Sequence, residues 1–184
     1  VRRSALARRK AIAPELRSRF TERLVREGLR LADRWSPAIV SGFYPIREEP
    51  DVLALLSALA DRGFDIALPV VTARGTHLDF RLWLPGEPTA LGAMGIPEPL
   101  PEAPAVDPDL LFTPLAAFDR RGRRLGYGAG YYDRSLARLR ALKPIRAVGV
   151  AYGVCEVASV PYEAHDQLLD AIVTEQETIF VSER

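Results

Sequence analysis

Apolar residues along this chain follow two rhythms, one close to helical spacing and one of short runs or strict alternation, which mark amphipathic helices and strands respectively. From Pro14 to Trp35, Leu16, Phe20, Leu24, Leu31 and Trp35 recur near helical spacing, with arginines and acids between them. The spacing predicts a helix opened by Pro14 and ended before Pro37, with a shorter helix over residues 4–11 in front of it. Residues 38–44 read as a buried strand ended by Pro45. Asp51 can then cap a helix to about Arg62, closed by Gly63, and residues 65–71 form the next strand. That strand, helix, strand unit has the length of a right-handed parallel crossover. Leu78, Phe80, Leu82 and Leu84 alternate with Asp79, Arg81 and Trp83, which predicts a half-exposed strand at an edge of the sheet.

Residues 85–108 carry Pro85, Pro88, Pro97, Pro99, Pro101, Pro104 and Pro108 together with several glycines. That density excludes regular structure in the segment's interior and predicts a long loop. Such a loop in a compact domain often covers a site, and residues 91–99 could be a pocket wall; a surface wrap packed by Met94 and Ile96 is the competing reading. Further strands are expected at residues 109–114, 145–152, 170–174 and 178–181, with a helix over Tyr131–Leu142. Strands alternating with helices make an α/β sandwich the expected class. No repeat or low-complexity segment interrupts the pattern.

Composition narrows the function more than the fold. The chain has 184 residues, 48% of them hydrophobic, the size of one domain with a sizeable core. Its 25 basic and 24 acidic residues give no basic excess of the kind a nucleic-acid binder shows. Lys10 and Lys143 are the only lysines, so nearly all positive charge is guanidinium, suited to bidentate contact with phosphate or carboxylate. The arginines of the long helix interleave with acids and read as a solvated face. Cys155 stands alone, which excludes an internal disulfide and a cysteine metal cluster and fits a reducing cytoplasm; a buried thiol is its expected role. No apolar run is long enough to span a bilayer, and no signal-peptide core follows the basic start.

Residues 118–134 concentrate glycine, arginine, tyrosine and aspartate. Gly126, Gly128 and Gly130 allow positive φ and close approach of the backbone to a ligand, so that successive N–H groups can line an anion nest. A helix begins immediately afterwards, and a helix N-terminus also favours an anion. The strand before the loop ends where open α/β sheets bind ligands. The spacing matches neither the P-loop nor the dinucleotide fingerprint, so the residues alone leave a phosphate site and an ordinary turn about equally open. Asp133 alone reads as a first-turn carboxylate or helix cap.

These residues extend into a longer pattern. Pro114-Leu115-Ala116-Ala117-Phe118-Asp119, Gly122 and Arg124-Leu125-Gly126-Tyr127-Gly128-Ala129-Gly130-Tyr131-Tyr132-Asp133-Arg134 resemble the signature of the 5-formyltetrahydrofolate cyclo-ligase family, also called methenyltetrahydrofolate synthetases. Collinear matches lie at Phe43-Tyr44-Pro45-Ile46 with Glu49 and Asp51, Leu68-Pro69-Val70-Val71, Gly95-Ile96-Pro97-Glu98-Pro99, Val160-Pro161, His165-Asp166 and Ile172-Val173-Thr174-Glu175. The resemblance covers nearly the whole chain. It implies one domain over residues 1–184 with a three-layer α/β/α sandwich of the NagB/RpiA/CoA-transferase-like kind, built on a mostly parallel mixed sheet. It also implies a ligase forming a C–N bond: ATP- and Mg²⁺-dependent closure of 5-formyltetrahydrofolate to 5,10-methenyltetrahydrofolate, with release of ADP and phosphate. The implied partners are the folate and ATP, with no nucleic acid or membrane, and the chain is expected to act as a cytoplasmic monomer.

By position, the resemblance assigns the ATP phosphates to Arg2, Arg124, Leu125, Gly126, Tyr127, Gly128, Ala129, Gly130, Tyr131 and Tyr132. It assigns the folate to Ile46, Asp51 and Met94 and to the loop from Tyr127 to Tyr131, and makes Arg124 and Tyr131 the catalytic pair. Asp133 and Asp166 are the expected Mg²⁺ ligands, with Asp170 a weaker candidate. Two departures stand out. The lysine of the family's N-terminal Lys-X-X-Leu-Arg element would fall before Val1, and Val1 replaces its leucine. Ala129 stands where some members carry lysine, which moves charge stabilisation towards Mg²⁺ and Arg124, with Arg134 as a further cation. The rival readings are a non-catalytic nucleotide- or folate-binding relative, a sugar-phosphate or acyl-transfer enzyme on a similar scaffold, and an arginine-rich RNA module, disfavoured by the charge balance and the lack of a stacking motif.

Overall fold

A computed structural model describes residues 1–181 of the chain. Its elements run α1 (Arg2–Lys10), α2 (Pro14–Trp35), β1 (Ile39–Ser41), α3 (Leu53–Asp61), β2 (Asp65–Val70), β3 (Asp79–Leu82), β4 (Thr89–Leu91), β5 (Pro97–Pro99), β6 (Ala105–Val106), β7 (Leu110–Pro114), β8 (Ala117–Phe118), β9 (Arg124–Leu125), α4 (Tyr131–Leu142), β10 (Arg146–Val150), β11 (Ala171–Val173) and β12 (Thr178–Phe180). The long helix begins at Pro14, whose missing N–H is harmless at that position, and ends at Ser36 in a left-handed conformation. Asp51, the expected cap, lies one residue before the observed one. Its carboxylate accepts the Leu53 N–H at 3.1 Å, while Val52 occupies the cap itself.

The main sheet has the order β12-β11-β10-β7-β1-β2-β3-β6. Its centre, from β11 to β2, is parallel, and β12, β3 and β6 add antiparallel at the two margins. The first four residues of β7 are fully buried, as expected where helices cover both faces of a parallel sheet. Both crossovers, β1-α3-β2 and β7-α4-β10, join parallel strands but run in opposite directions across the sheet. The right-handed rule therefore puts α3 and α4 on opposite faces, which makes the three layers. Helix α2 packs on α3 so closely that a Cβ at Gly28 would stand 2.4 Å from the Leu55 methyl carbons.

Three local expectations change. The alternating strand, β3, is not the edge, because β6 pairs outside it through Phe80 with Val106 and Arg81 with Ala105. The proline-rich segment is not structureless: β4 and β5 form a two-stranded ribbon, and β6 joins the main sheet. A ribbon leaves one flank of each strand unpaired, so Pro97 and Pro99 do not interrupt a ladder on that side. The stretch leading to the glycine loop also folds as a small ribbon, β8 with β9. Its turn is fixed by the buried Asp119, whose carboxylate accepts the N–H groups of Arg121 at 2.9 Å, Arg123 at 3.3 Å and Val160 at 2.9 Å.

Gly122 completes that turn at φ 81°, and a Cβ there would lie 2.8 Å from the Leu169 carbonyl oxygen. Gly122→Ala should therefore lower folding stability by about 1–3 kcal/mol through backbone strain and the clash together. Denaturant melts read the effect, and an unchanged midpoint would contradict this account.

Candidate functional site

The strand order creates the site. From β1 the chain moves to β2 on one side, and from β7 it moves to β10 on the other, so the two connections diverge from neighbouring strands. Ligands of open α/β sheets bind in the crevice outside the carboxyl ends at such a switch point. A cavity of about 500 Å³ lies there. Its apolar wall comes from Phe43, Tyr44 and Ile46 after β1, Val71 after β2, and Met94 and Ile96 from the turn between β4 and β5. The glycine loop closes the opposite side.

That loop is held from behind. Gly128 and Gly130 adopt φ of 101° and 70°, conformations open to glycine, and Gly130 caps α4. Two arginines take its carbonyls: Arg2 Nε donates to Gly126 O at 2.8 Å, and Arg134 donates to Ala129 O at 2.5 Å and to Thr76 O at 2.8 Å. With those acceptors engaged, the loop's N–H groups and the start of α4 are the backbone groups suited to an anion. Arg134 grips the loop and stacks over Tyr131 at 5.6 Å, but it does not line the cavity.

Arg124 and Asp133 clasp the two ends of the loop with an ion pair of 2.9 Å; the arginine side chain is 4% exposed. Burial lowers the Arg124 pKa, an effect opposed by the nearby Asp133, Tyr132 and Asp166. Asp133 Oδ1 also accepts the Gln167 N–H at 2.9 Å. Arg124 Nε and the Tyr132 hydroxyl are buried without a protein partner, and unpaired buried groups beside a cavity mark where a ligand or water would bind. Burial and the Glu49 carboxylate push the Tyr132 phenol well above its ordinary range.

A second hydrogen-bond chain borders the cavity, joining the buried Arg9 and Glu49 through the partly exposed Tyr127. Tyr127 donates its hydroxyl to Glu49 Oε1 at 2.6 Å, and Arg9 Nη1 donates to the Tyr127 hydroxyl at 2.9 Å. The other Glu49 oxygen accepts the Ile46 N–H at 2.9 Å. Burial raises the Glu49 pKa, and the Tyr127 hydroxyl, the Ile46 amide, Arg9 and Arg47 oppose the rise. The same desolvation, reinforced by Glu49, raises Tyr127.

Of the residues expected from the sequence, Arg2, Ile46, Met94, the whole run 124–133 and Asp166 line this one cavity. Asp51 does not, since its carboxylate serves the start of α3. Asp170 is also elsewhere, bonded to Arg140, Arg146 and the Ala147 N–H. Glu49 and Arg9 carried no expected role. Glu49 is one of the family-matched residues of the loop it shares with Asp51 but without a role, and helical spacing puts Arg9 on the α1 face of Arg2 and Ala5. Asp166 accepts the Glu163 N–H at 2.8 Å, and the exposed His165 lies 3.5 Å from it. Among the described residues no cluster of three or more His, Cys, Asp or Glu forms a self-contained metal cage. Magnesium needs none, since one or two carboxylates with substrate phosphates suffice, and Asp133 and Asp166 on one cavity fit that donor set.

The fold and the cavity thus define an α/β protein with a preformed cavity at the switch point of its sheet, apolar on one side and lined by a glycine loop and two arginines on the other. The chain belongs to the 5-formyltetrahydrofolate cyclo-ligase family of enzymes, whose family model matches residues 1–175. It is 33% identical over 156 residues to 5-formyltetrahydrofolate cyclo-ligase of Haemophilus influenzae, covering 82% of this chain and 83% of that one. With the Escherichia coli protein of the same name it shares 31% identity over 172 residues, 91% of this chain and 94% of the other. Its fold is similar to the solved structure of Aquifex aeolicus 5,10-methenyltetrahydrofolate synthetase, with a TM-score of 0.83, 29% identity, and coverage of 100% and 92%. Among the described residues no helix is long and apolar enough to cross a membrane.

Because its folded pKa is raised, the Glu49 carboxyl should titrate above 4.5 in site-resolved ¹³C NMR. Its contribution to stability is full below the unfolded value and is lost as pH rises through the folded one. A midpoint at or below 4.5 would contradict the desolvation that the geometry implies.

Proposed function

We propose that this protein converts 5-formyltetrahydrofolate to 5,10-methenyltetrahydrofolate with consumption of ATP and release of ADP and phosphate, as a cytoplasmic monomer acting through one domain that spans residues 1–184; residues 182–184 lie outside the described structure. The observation that carries the reading is the meeting of two chemistries in one cavity. An apolar wall with a buried carboxylate suits a pterin ring, whose amino and ring N–H donors need an acceptor. A glycine loop with arginines behind it suits a chain of phosphates.

The reaction needs activation because a formyl oxygen is a poor leaving group. Transfer of the γ-phosphoryl to that oxygen, with ADP departing, gives a phosphorylated N5-iminium carbon. The folate's own N10 then attacks that carbon, the phosphate leaves with the former formyl oxygen, and N10 loses its proton. Phosphoryl transfer asks a protein chiefly for positioning and charge stabilisation. The loop from Arg124 to Tyr132, with Arg2, would hold the phosphates, and Arg124 and Tyr131 would face the reacting groups. Tyr127 to Tyr131, Ile46 and Met94 would contact the folate, and Glu49 takes the place assigned to Asp51 from the sequence.

Asp133 and Asp166 would hold Mg²⁺, which when bound supplies charge neutralisation on the phosphate oxygens. Arg124 performs the same task from the protein side, because burial strengthens its field at the loop. Ala129 brings no cation, and Arg134 is engaged behind the loop, so the protein's share falls to the cavity-lining Arg2 and Arg124, of which Arg124 is the more deeply enclosed.

Mixing the protein with 5-formyltetrahydrofolate, Mg²⁺ and ATP should produce the near-ultraviolet absorbance of the conjugated methenyl product. Binding of both ligands without an ATP-dependent signal would instead mark a non-catalytic relative. Arg124→Ala should reduce turnover by about 100- to 1,000-fold. Full turnover in a folded Arg124→Ala variant would remove it from the mechanism.

A further inference from the structure

Arg9 is 2% exposed and does not line the cavity, yet it points at the residue where the two halves of the site meet. Burying a guanidinium is costly unless it meets an opposite charge or a full set of hydrogen bonds. Here Nη1 reaches the Tyr127 hydroxyl at 2.9 Å and the Leu115 carbonyl at a long 3.4 Å, while Nε has no protein partner. The guanidinium carbon lies 5.9 Å from the centre of the Tyr127 ring. Its counter-charge in this network is Glu49, reached only through the tyrosine oxygen, which accepts from Arg9 and donates to Glu49 at 2.6 Å. A hydrogen-bond chain of that polarity strengthens each of its members.

We propose that Arg9 is a positioning residue for the folate side of the site: through the Tyr127 hydroxyl it fixes the Glu49 carboxylate in the orientation that receives the pterin. Helix geometry supports the assignment. Arg2, Ala5 and Arg9 share one face of α1, so the same face grips the Gly126 carbonyl and the Tyr127 hydroxyl, two adjacent residues of the loop. The loop backbone is separately held by Arg2 and Arg134. Loss of Arg9 therefore removes the donor that orients the Tyr127 hydroxyl and leaves Glu49 anchored at one oxygen by the Ile46 N–H, while the anion nest stays in place.

This assignment rests on the proposed function and predicts a split between kinetic constants. In Arg9→Met, KM for 5-formyltetrahydrofolate should rise roughly tenfold or more, the worth of a hydrogen bond to a charged group, with kcat and KM for ATP little changed. Tyr127→Phe removes one oxygen and keeps the ring, and it should raise the folate constant by a similar factor. Adding Arg9→Met to Tyr127→Phe should then cost little more, because the two act in series. Equal effects of Arg9→Met in both backgrounds, or an equal rise in the ATP constant, would overturn the proposal. Should Arg9→Met fail to fold, Tyr127→Phe decides alone: an unchanged folate constant there overturns it. No turnover by the unsubstituted protein defeats the proposed function itself, whereas normal turnover with unmoved constants in the variants defeats only the role of Arg9.

Discussion

The ion pair between Arg124 and Asp133 is the constraint on which the site depends. It joins the last ribbon strand before the glycine loop to the first turn of the helix after it, at 2.9 Å, with the arginine enclosed and the aspartate partly open to the cavity. Three glycines in five residues would otherwise make a segment with much conformational freedom to lose. Fixing both ends shortens the free chain, and a buried pair is tolerated only where further bonds satisfy the partners. Asp133 obtains one from the Gln167 N–H, and the Arg124 guanidinium sits 5.9 Å from the centre of the Tyr132 ring. The same clasp draws the segment carrying Asp166 towards the cavity.

Around that clasp the chain uses arginine as a structural fork more than as a free charge. Arg2 and Arg134 bond loop carbonyls, Arg17 bonds the carbonyls of Arg9 and Glu48, and Arg140 bonds that of Leu168. A planar group with several fixed donors can bridge loops that a lysine would touch at one point. Other arginines pair with carboxylates, as Arg62 with Asp33 and Arg138 with Asp107, and Arg2 and Arg124 are the arginines that line the cavity.

The helices α2 and α4 and the parallel centre of the sheet were legible because long apolar periodicity dominates local alternatives. The margins were not. β3 looked like an edge because its own alternation says nothing about β6, a two-residue strand recruited from a proline-rich segment by pairing alone. Asp51 and Glu49 lie in one short loop, and residue type does not distinguish them. One turn of backbone sends the first to the N–H of Leu53 and the second under the cavity. Arg9 was hidden for a similar reason: helical spacing puts it on one face with Arg2 and Ala5, but only the packing of β8 and the loop after it against α1 encloses it.

The sequence by itself determined the layered α/β architecture, the glycine loop after a buried strand, and the family, because these are carried by periodicity and by a collinear set of residue types. Only the tertiary structure decided which of those residues share a cavity. Crossovers of one hand running in opposite directions from β1 and β7 opened the crevice, and close packing on both sides chose Glu49 over Asp51, enclosed Arg9, and turned Arg134 away from the site. Those outcomes depend on contacts between residues far apart in the chain, and no local pattern of side chains contains them.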